Sequence, residues 1–298
     1  MFSGLASNGI LIMLGASGFF SAFDCLNKYL VGSFAPGEIA FVRFAFGALI
    51  LSPSLIRQRP WRDRHEFLFL LLRGVLGAVA FYAMIRAFQT SALSVTMVLF
   101  WTNPMWALFL GACFLAERIT WKRGLCVGVA LFGTTVLFNP WEGGIAVGHL
   151  YGLIAGMLVG AGSVLIRYLR ARHDARVIYG FHCLVGALFW GPLAIGNIHV
   201  PTMSKFMLLL ISAAVGLLAQ LTMNYGFRFI RAAEGSTIIM AELIMTSTVG
   251  ILVFHEPLTL RFIVGAIAIL LSGIYLGLAT NEARRDAREA VSGSENRE

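Results

Sequence analysis

AFQTSALSVTMVLFWTNPMWALFLGACFLAERIT, residues 87–120, is answered by a weaker copy of itself at residues 226–259, GFRFIRAAEGSTIIMAELIMTSTVGILVFHEPLT. The two stretches end alike, Ala116-Glu117-Arg118-Ile119-Thr120 against His255-Glu256-Pro257-Leu258-Thr259, and Glu256 lies 139 residues after Glu117. The same offset, without a gap, pairs Phe88 with Phe227 and Gly111 with Gly250. It also pairs Lys28-Tyr29-Leu30 with Arg167-Tyr168-Leu169, Gly47-Ala48-Leu49 with Gly186-Ala187-Leu188, and Pro53 with Pro192. The chain is one half written twice, and any fold must accommodate that repeat.

Composition sets the solvent. Of 298 residues 58% are hydrophobic and 13% charged, and the mean hydropathy is +0.80, so polar surface is too scarce to cover a water-soluble globule. The net charge of +8 falls in short clusters between apolar runs, where it orients membrane segments instead of forming a nucleic-acid footprint. Nucleic acid is therefore excluded as a partner, whereas membrane lipid is implied. Cys25, Cys113, Cys126 and Cys183 all lie in apolar segments without ligand spacing, so they read as small buried hydrophobes, and neither metal nor cofactor is expected. The first apolar run lacks a basic flank and a cleavage site and reads as a retained span.

Only helices or closed barrels satisfy the backbone in lipid, and a helix needs about 20 residues to cross. Ten apolar runs predict an all-α polytopic membrane protein, with spans near 9–31, 36–56, 66–88, 91–115, 121–138, 149–169, 176–195, 204–227, 234–254 and 259–279. Residues 1–139 form the first five-helix repeat, 140–280 the second, and 281–298 a charged tail. With the N-terminus in the cytoplasm, seventeen Lys and Arg residues fall on that side, while Lys28, Arg86, Lys205 and Arg261 face the other. Both termini are predicted cytoplasmic. Five helices per repeat is odd, so the second repeat enters the membrane inverted, the arrangement of carriers that rock between two openings.

Within this frame several residues stand out. Gly152, Gly156 and Gly160 form a smooth ridge on the sixth span, matched in the first by Met13, Ser17 and Ser21; static packing and a moving seam would each use such a face. Pro104 predicts a kink in the fourth span beside Trp101 and Asn103, freeing the Phe100 carbonyl for a substrate or a neighbouring helix. Leu243 stands at the equivalent place in the ninth, so the kink is expected in one half only. Glu242, opposite Asn103 in the repeat, must be neutralised, paired or hydrated, and is a candidate for proton coupling, for binding a substrate ammonium, or for tying helices together. Gly216, Gln220 and Asn224 share a face of the eighth span. With Phe81, Tyr82 and Trp101 they make a candidate cavity wall, although each aromatic alone could be core packing. Asp24 and Lys28, four apart, and Arg43 on the next span suggest an ion pair or an outer gate. Arg73 has no evident partner, and His182 matches Arg43 by the offset.

These features resemble the EamA type of the drug/metabolite transporter superfamily over about residues 9 to 279. The marks are the two five-span repeats, Pro36-Gly37-Glu38-Ile39-Ala40-Phe41-Val42-Arg43 opening the second span, and the Glu-x-x-Thr endings at Glu117–Thr120 and Glu256–Thr259. The family often has Glu-Pro within spans four and nine and Gly before the closing Glu. Here the first motif is split into Asn103-Pro104 and Glu242-Leu243, and Ala116 and His255 replace the glycine. The resemblance implies a carrier of small metabolites in the bacterial inner membrane, with a cavity lined mainly by spans one, three, four, six, eight and nine. The aromatic cluster points to an amino-acid exporter of the YddG type, while nucleoside, riboflavin and S-adenosylmethionine carriers share the architecture. No nucleotide-binding loop is present, so energy comes from a gradient, the substrate's own or a proton's. An intramembrane lipid-modifying enzyme would need a catalytic constellation that these spacings do not supply.

Overall fold

A computed structural model describes residues 2–58, 63–115, 120–138, 146–170, 172–195, 202–227, 229 and 232–276. Among these there are helices and no strands. In chain order they are α1 (Phe2–Leu30), α2 (Pro36–Gln58), α3 (Arg64–Thr90), α4 (Leu93–Phe100), α5 (Asn103–Leu115), α6 (Trp121–Phe138), α7 (Val147–Leu169), α8 (Ala175–Ile195), α9 (Met203–Gly226), α10 (Ala232–Ile239), α11 (Ala241–Val253) and α12 (Leu260–Leu276). Seven apolar helical stretches are long enough to cross a membrane, Leu93–Cys113 counting as one through α4 and α5. Three shorter ones, Gly124–Phe138, Thr237–Val253 and Leu260–Leu276, occupy the expected fifth, ninth and tenth spans and stop short of a full crossing within the described residues. Residues 116–119, with Glu117 and the first Glu-x-x-Thr motif, lie outside the described residues, as does the charged tail.

The repeat governs the packing as well as the sequence. A Cβ on Gly47 of α2 would lie 2.7 Å from the Cys183 sulfur on α8; exchanging the halves by the 139-residue offset gives Gly186, whose Cβ would meet the Phe44 ring at 2.5 Å. Likewise the Ser272 hydroxyl donates to the Cys126 carbonyl at 2.5 Å. The exchanged pair, Gly133 and Gly265, is in such close approach that a Cβ on Gly133 would lie 2.9 Å from the Gly265 oxygen. Contacts that recur with the halves exchanged require a two-fold relation between the repeats, and α2 packed on α8 and α6 on α12 straddle its axis. Phe44 on the α2–α8 face is completely buried, as are Phe88 of α3 and Met97 and Leu99 of α4 in the same core.

The fourth and ninth spans both break, and at corresponding places. Trp101 and Thr102 separate α4 from α5, and Met240, which is Trp101 plus the offset, separates α10 from α11. The expectation of a kink in one half only is thereby corrected. Pro104 cannot donate, but Leu243 can, and its N–H turns tightly to the Met240 carbonyl at 3.0 Å, so the ninth span bends without a proline. The cause shared by the two halves is the neighbouring small-residue face. Ser17 of α1 reaches the Ile238 and Ile239 carbonyls at 3.3 and 3.4 Å. Gly156, its counterpart on α7, sits so near the Phe100 and Leu99 carbonyls that a Cβ would approach them to 2.7 and 3.0 Å. The Gly152–Gly156–Gly160 ridge is thus pressed against α4 and α5, with Gly160 equally tight against the Asn103 carbonyl.

Candidate functional site

The break at Met240 fixes the position of the most unusual side chain. Glu242 falls in the first turn of α11, where unpaired N–H groups favour a carboxylate, and there it is buried. Its carboxyl group meets that of Asp24 on α1, also buried, and the two form a hydrogen-bonded pair. A hydrogen bond between two carboxyl groups requires a proton between them. The pair joins the first helix of one repeat to the ninth span of the other.

Asp24 therefore does not take the partner expected for it. Lys28 instead extends its ammonium to the carbonyls of Phe88 and Ser91, at 2.7 and 2.6 Å, capping the exposed end of α3. With its ammonium committed to those two carbonyls, Lys28 makes no ion pair with Asp24. Of the predicted Asp24, Lys28 and Arg43 group, only the attraction of the Arg43 charge for Asp24 remains.

Arg43 lies over aromatic rings drawn from three helices. Its guanidinium carbon is 3.9 Å from the centroid of Phe81, 4.7 Å from Phe23 and 5.6 Å from Phe44, and Tyr179 of α8 shares a hydrogen bond with it. Phe23 and Phe81 stack at 5.9 Å, and Gly216 of α9 makes room for the Phe23 ring. Arg73 of α3, for which the sequence offered no partner, runs past Gly162 of α7 to the same region. Its guanidinium and the His182 ring flank Gly77, leaving no space for a side chain there.

The other predicted wall residues are distributed differently. Tyr82 stacks on Trp190 at 4.3 Å with the planes 13° apart, and the Trp190 indole donates to the Ala78 carbonyl, so Tyr82 belongs to the α3–α8 contact. Gln220 and Asn224 bond each other at 3.5 Å on α9. Asn103 donates to the Phe100 carbonyl at 3.1 Å, occupying the acceptor that the break exposes. Trp101 is buried toward a narrow gap lined by Thr102, Ala130, Ile269, Ser272 and Leu276, on the α6 and α12 side, and Pro104 borders the same gap. Asn103 and Trp101 are thus drawn to the break itself and its outer flank.

Sequence reasoning missed the role of Glu256. Its carboxylate accepts from the backbone N–H groups of Leu93 and Ser94, the latter at 2.9 Å, capping the start of α4 from the opposite repeat. Together with Lys28 on the Phe88 and Ser91 carbonyls, this ties α1, the α3–α4 turn and the α11–α12 corner together at one end of the bundle. A signal existed: the closing Glu of the repeat motif recurs at the offset of the helix starts.

Comparison with known proteins follows this architecture. A family model described as the EamA-like transporter family matches twice, over residues 7–139 and 146–278. The chain belongs to that family. Among its curated relatives, the pseudopaline exporter of Pseudomonas aeruginosa is 28% identical over 79% of this chain and 82% of the relative. The riboflavin transporter of Rhizobium johnstonii is 24% identical over 95% and 94%, and the S-adenosylmethionine uptake transporter of Rickettsia bellii 21% over 86% and 88%. A solved crystal structure, 19% identical, aligns with a TM-score of 0.62 over 94% of this chain and 98% of that one, and shows the fold alone. This EamA-like chain is a multi-pass membrane protein, and its relatives support a small-metabolite transporter. They differ in substrate and direction, so the YddG-type subtype is not confirmed by them.

Proposed function

We propose that this EamA-like protein is a secondary transporter that exports small zwitterionic metabolites, amino acids foremost, across the bacterial inner membrane by alternating access, with both termini in the cytoplasm. The observation that carries the reading is the Asp24–Glu242 pair, one proton held between two buried carboxyl groups on opposite repeats. A substrate ammonium can replace that proton, since both satisfy the same acceptors, and the displaced proton leaves by whichever end is open. Export is then exchanged against proton entry. The break at Met240 beside the pair, and its counterpart at Trp101–Thr102, let α10–α11 and α4–α5 tilt while the outer segments stay packed.

Purified protein in proteoliposomes tests this with counterflow against a panel of amino acids, nucleosides and flavins. Counterflow of amino acids is expected, and Glu242→Gln and Asp24→Asn should each flatten the pH dependence of the rate. Counterflow of nucleosides or flavins alone would replace the amino-acid reading with one closer to the riboflavin relative. A Glu242→Gln protein that keeps the wild-type rate and pH profile would remove the proton exchange.

A further inference from the structure

Two guanidinium groups enter the membrane core of this protein with no carboxylate among the described residues at ion-pair distance. Arg43 rests on three phenylalanine rings and Tyr179, and Arg73 lies against Gly77, Gly162 and His182; the Nε atoms of both are buried without a hydrogen-bond partner. Among the described residues no carboxylate oxygen comes within 4 Å of either group; the ion pairs that form involve Glu66 and Asp174 at a helix end. The two cations are near enough to repel each other, and the Tyr179 hydroxyl is influenced by both. Against them, among the described residues, stands the Asp24–Glu242 pair, which with its shared proton carries at most one negative charge. The polar layer thus carries at least one positive charge in excess, in surroundings where an uncompensated charge costs several kcal/mol.

We infer that Arg43 and Arg73 form the binding site for the carboxylate of the transported molecule, the anionic counterpart of the acid pair that takes its ammonium. The inference rests on the zwitterion reading above and names the residues that select for the acid end. Guanidinium presents a planar fork matched to carboxylate, and a carboxylate between the two removes both their repulsion and the excess charge. Phe23 and Phe81, stacked beneath Arg43, make the adjoining wall apolar, which suits the side chain of a neutral or aromatic amino acid. Arg43 is held on its rings yet only partly buried, so it can swing to a ligand; Tyr179 keeps it from turning away.

The experiment uses the wild-type protein first. Counterflow of labelled L-phenylalanine and L-leucine in proteoliposomes is competed by the free acids and by their carboxamides, which keep the ammonium and lose the negative charge. The amides should inhibit at least tenfold more weakly than the acids. Arg43→Gln and Arg73→Gln should raise the half-saturating concentration of the acids at least tenfold while leaving inhibition by the amides within twofold, and Arg43→Lys should restore part of the loss. Amides that compete as well as acids in the wild-type protein would overturn the carboxylate site, whatever the variants do. So would arginine variants that weaken acids and amides equally. A wild-type protein that moves neither amino acid overturns the zwitterion reading itself, and the site with it, an outcome distinct from transport without discrimination.

Discussion

Lys205 donates to the Ser33 hydroxyl at 2.7 Å, and the 139-residue offset turns that pair into Arg172 and Glu66, bonded at 2.8 Å. One contact is written twice, once at each end of the bundle, and each copy bridges the two repeats. The His173 Nε2 atom also lies 2.8 Å from the Glu66 carboxylate, an ion pair only when the imidazole is protonated. Alternating access opens one end while the other stays shut, so removing each link should act in opposite senses. Glu66→Ala should raise the labelling of cysteines placed near Arg172 by a membrane-impermeant thiol reagent, and Lys205→Ala should do so for cysteines near Ser33. Equal labelling of both ends in both variants would mean that these bonds are surface decoration, as exposed ion pairs often are.

The ridge on α7 supplies a second expectation, because its glycines are not equally crowded. A methyl group on Gly156 would stand 2.7 Å from the Phe100 oxygen, which is backbone and cannot swing aside, whereas on Gly152 it would find 3.4 Å to the nearest atoms. Gly156→Ala should therefore lower the thermal midpoint in detergent, by an overpacking cost of roughly 1–3 kcal/mol, and slow transport. Gly152→Ala should be nearly silent in both assays.

The repeat and the helical, membrane-spanning class were legible in the sequence because both are encoded in the order of residue types along the chain. The site was legible only in part. Glu242 and Arg43 announced themselves as charges in apolar runs, but which of Asp24, Lys28 and Arg43 would pair depended on where the α3 carbonyls end, and a linear reading does not place them. In the sequence Trp101 is a cavity candidate as one of three aromatics set against the Gln220 and Asn224 face, and Asn103 as the neighbour of Pro104 and repeat counterpart of Glu242. Three-dimensional packing turns Trp101 toward α6 and α12 and folds Asn103 back across the break onto the last carbonyl of α4. The break at Met240 carries no proline to announce it; the contact beside it comes from Ser17 on another helix, 222 residues before the Ile239 carbonyl it reaches. The offset itself could have recovered it, since it carries Trp101 onto Met240.

Glu256 accepts from two backbone N–H groups of α4, and a helix start capped by a carboxylate loses about 0.5–2 kcal/mol when the acceptor is truncated. Glu256→Ala should lower the unfolding midpoint and loosen the end of the bundle that Lys28 also ties. Glu256→Gln keeps an acceptor oxygen and should recover more than half of the stability lost in Glu256→Ala. Glu117 is the sequence counterpart of Glu256 at the 139-residue offset, and Glu117→Ala should destabilise by a similar amount. A silent Glu117→Ala beside a damaging Glu256→Ala would show that the cap belongs to one repeat.

His255 immediately precedes that cap and adopts φ 54, a left-handed backbone that favours glycine. The position is the one where the family commonly carries Gly, and the conformation supplies the reason: the chain must reverse from α11 quickly enough to bring Glu256 under α4. Its side chain is exposed, so little packing compensates for the strain of a Cβ there. His255→Gly should therefore be neutral to stabilising, raising the unfolding midpoint by the equivalent of up to about 1 kcal/mol, while His255→Val, branched at Cβ, should lower it and weaken the Glu256 cap. Thermal unfolding of the three proteins in one detergent decides the matter. A glycine variant less stable than the histidine would show that the imidazole makes a contact that outweighs its backbone strain.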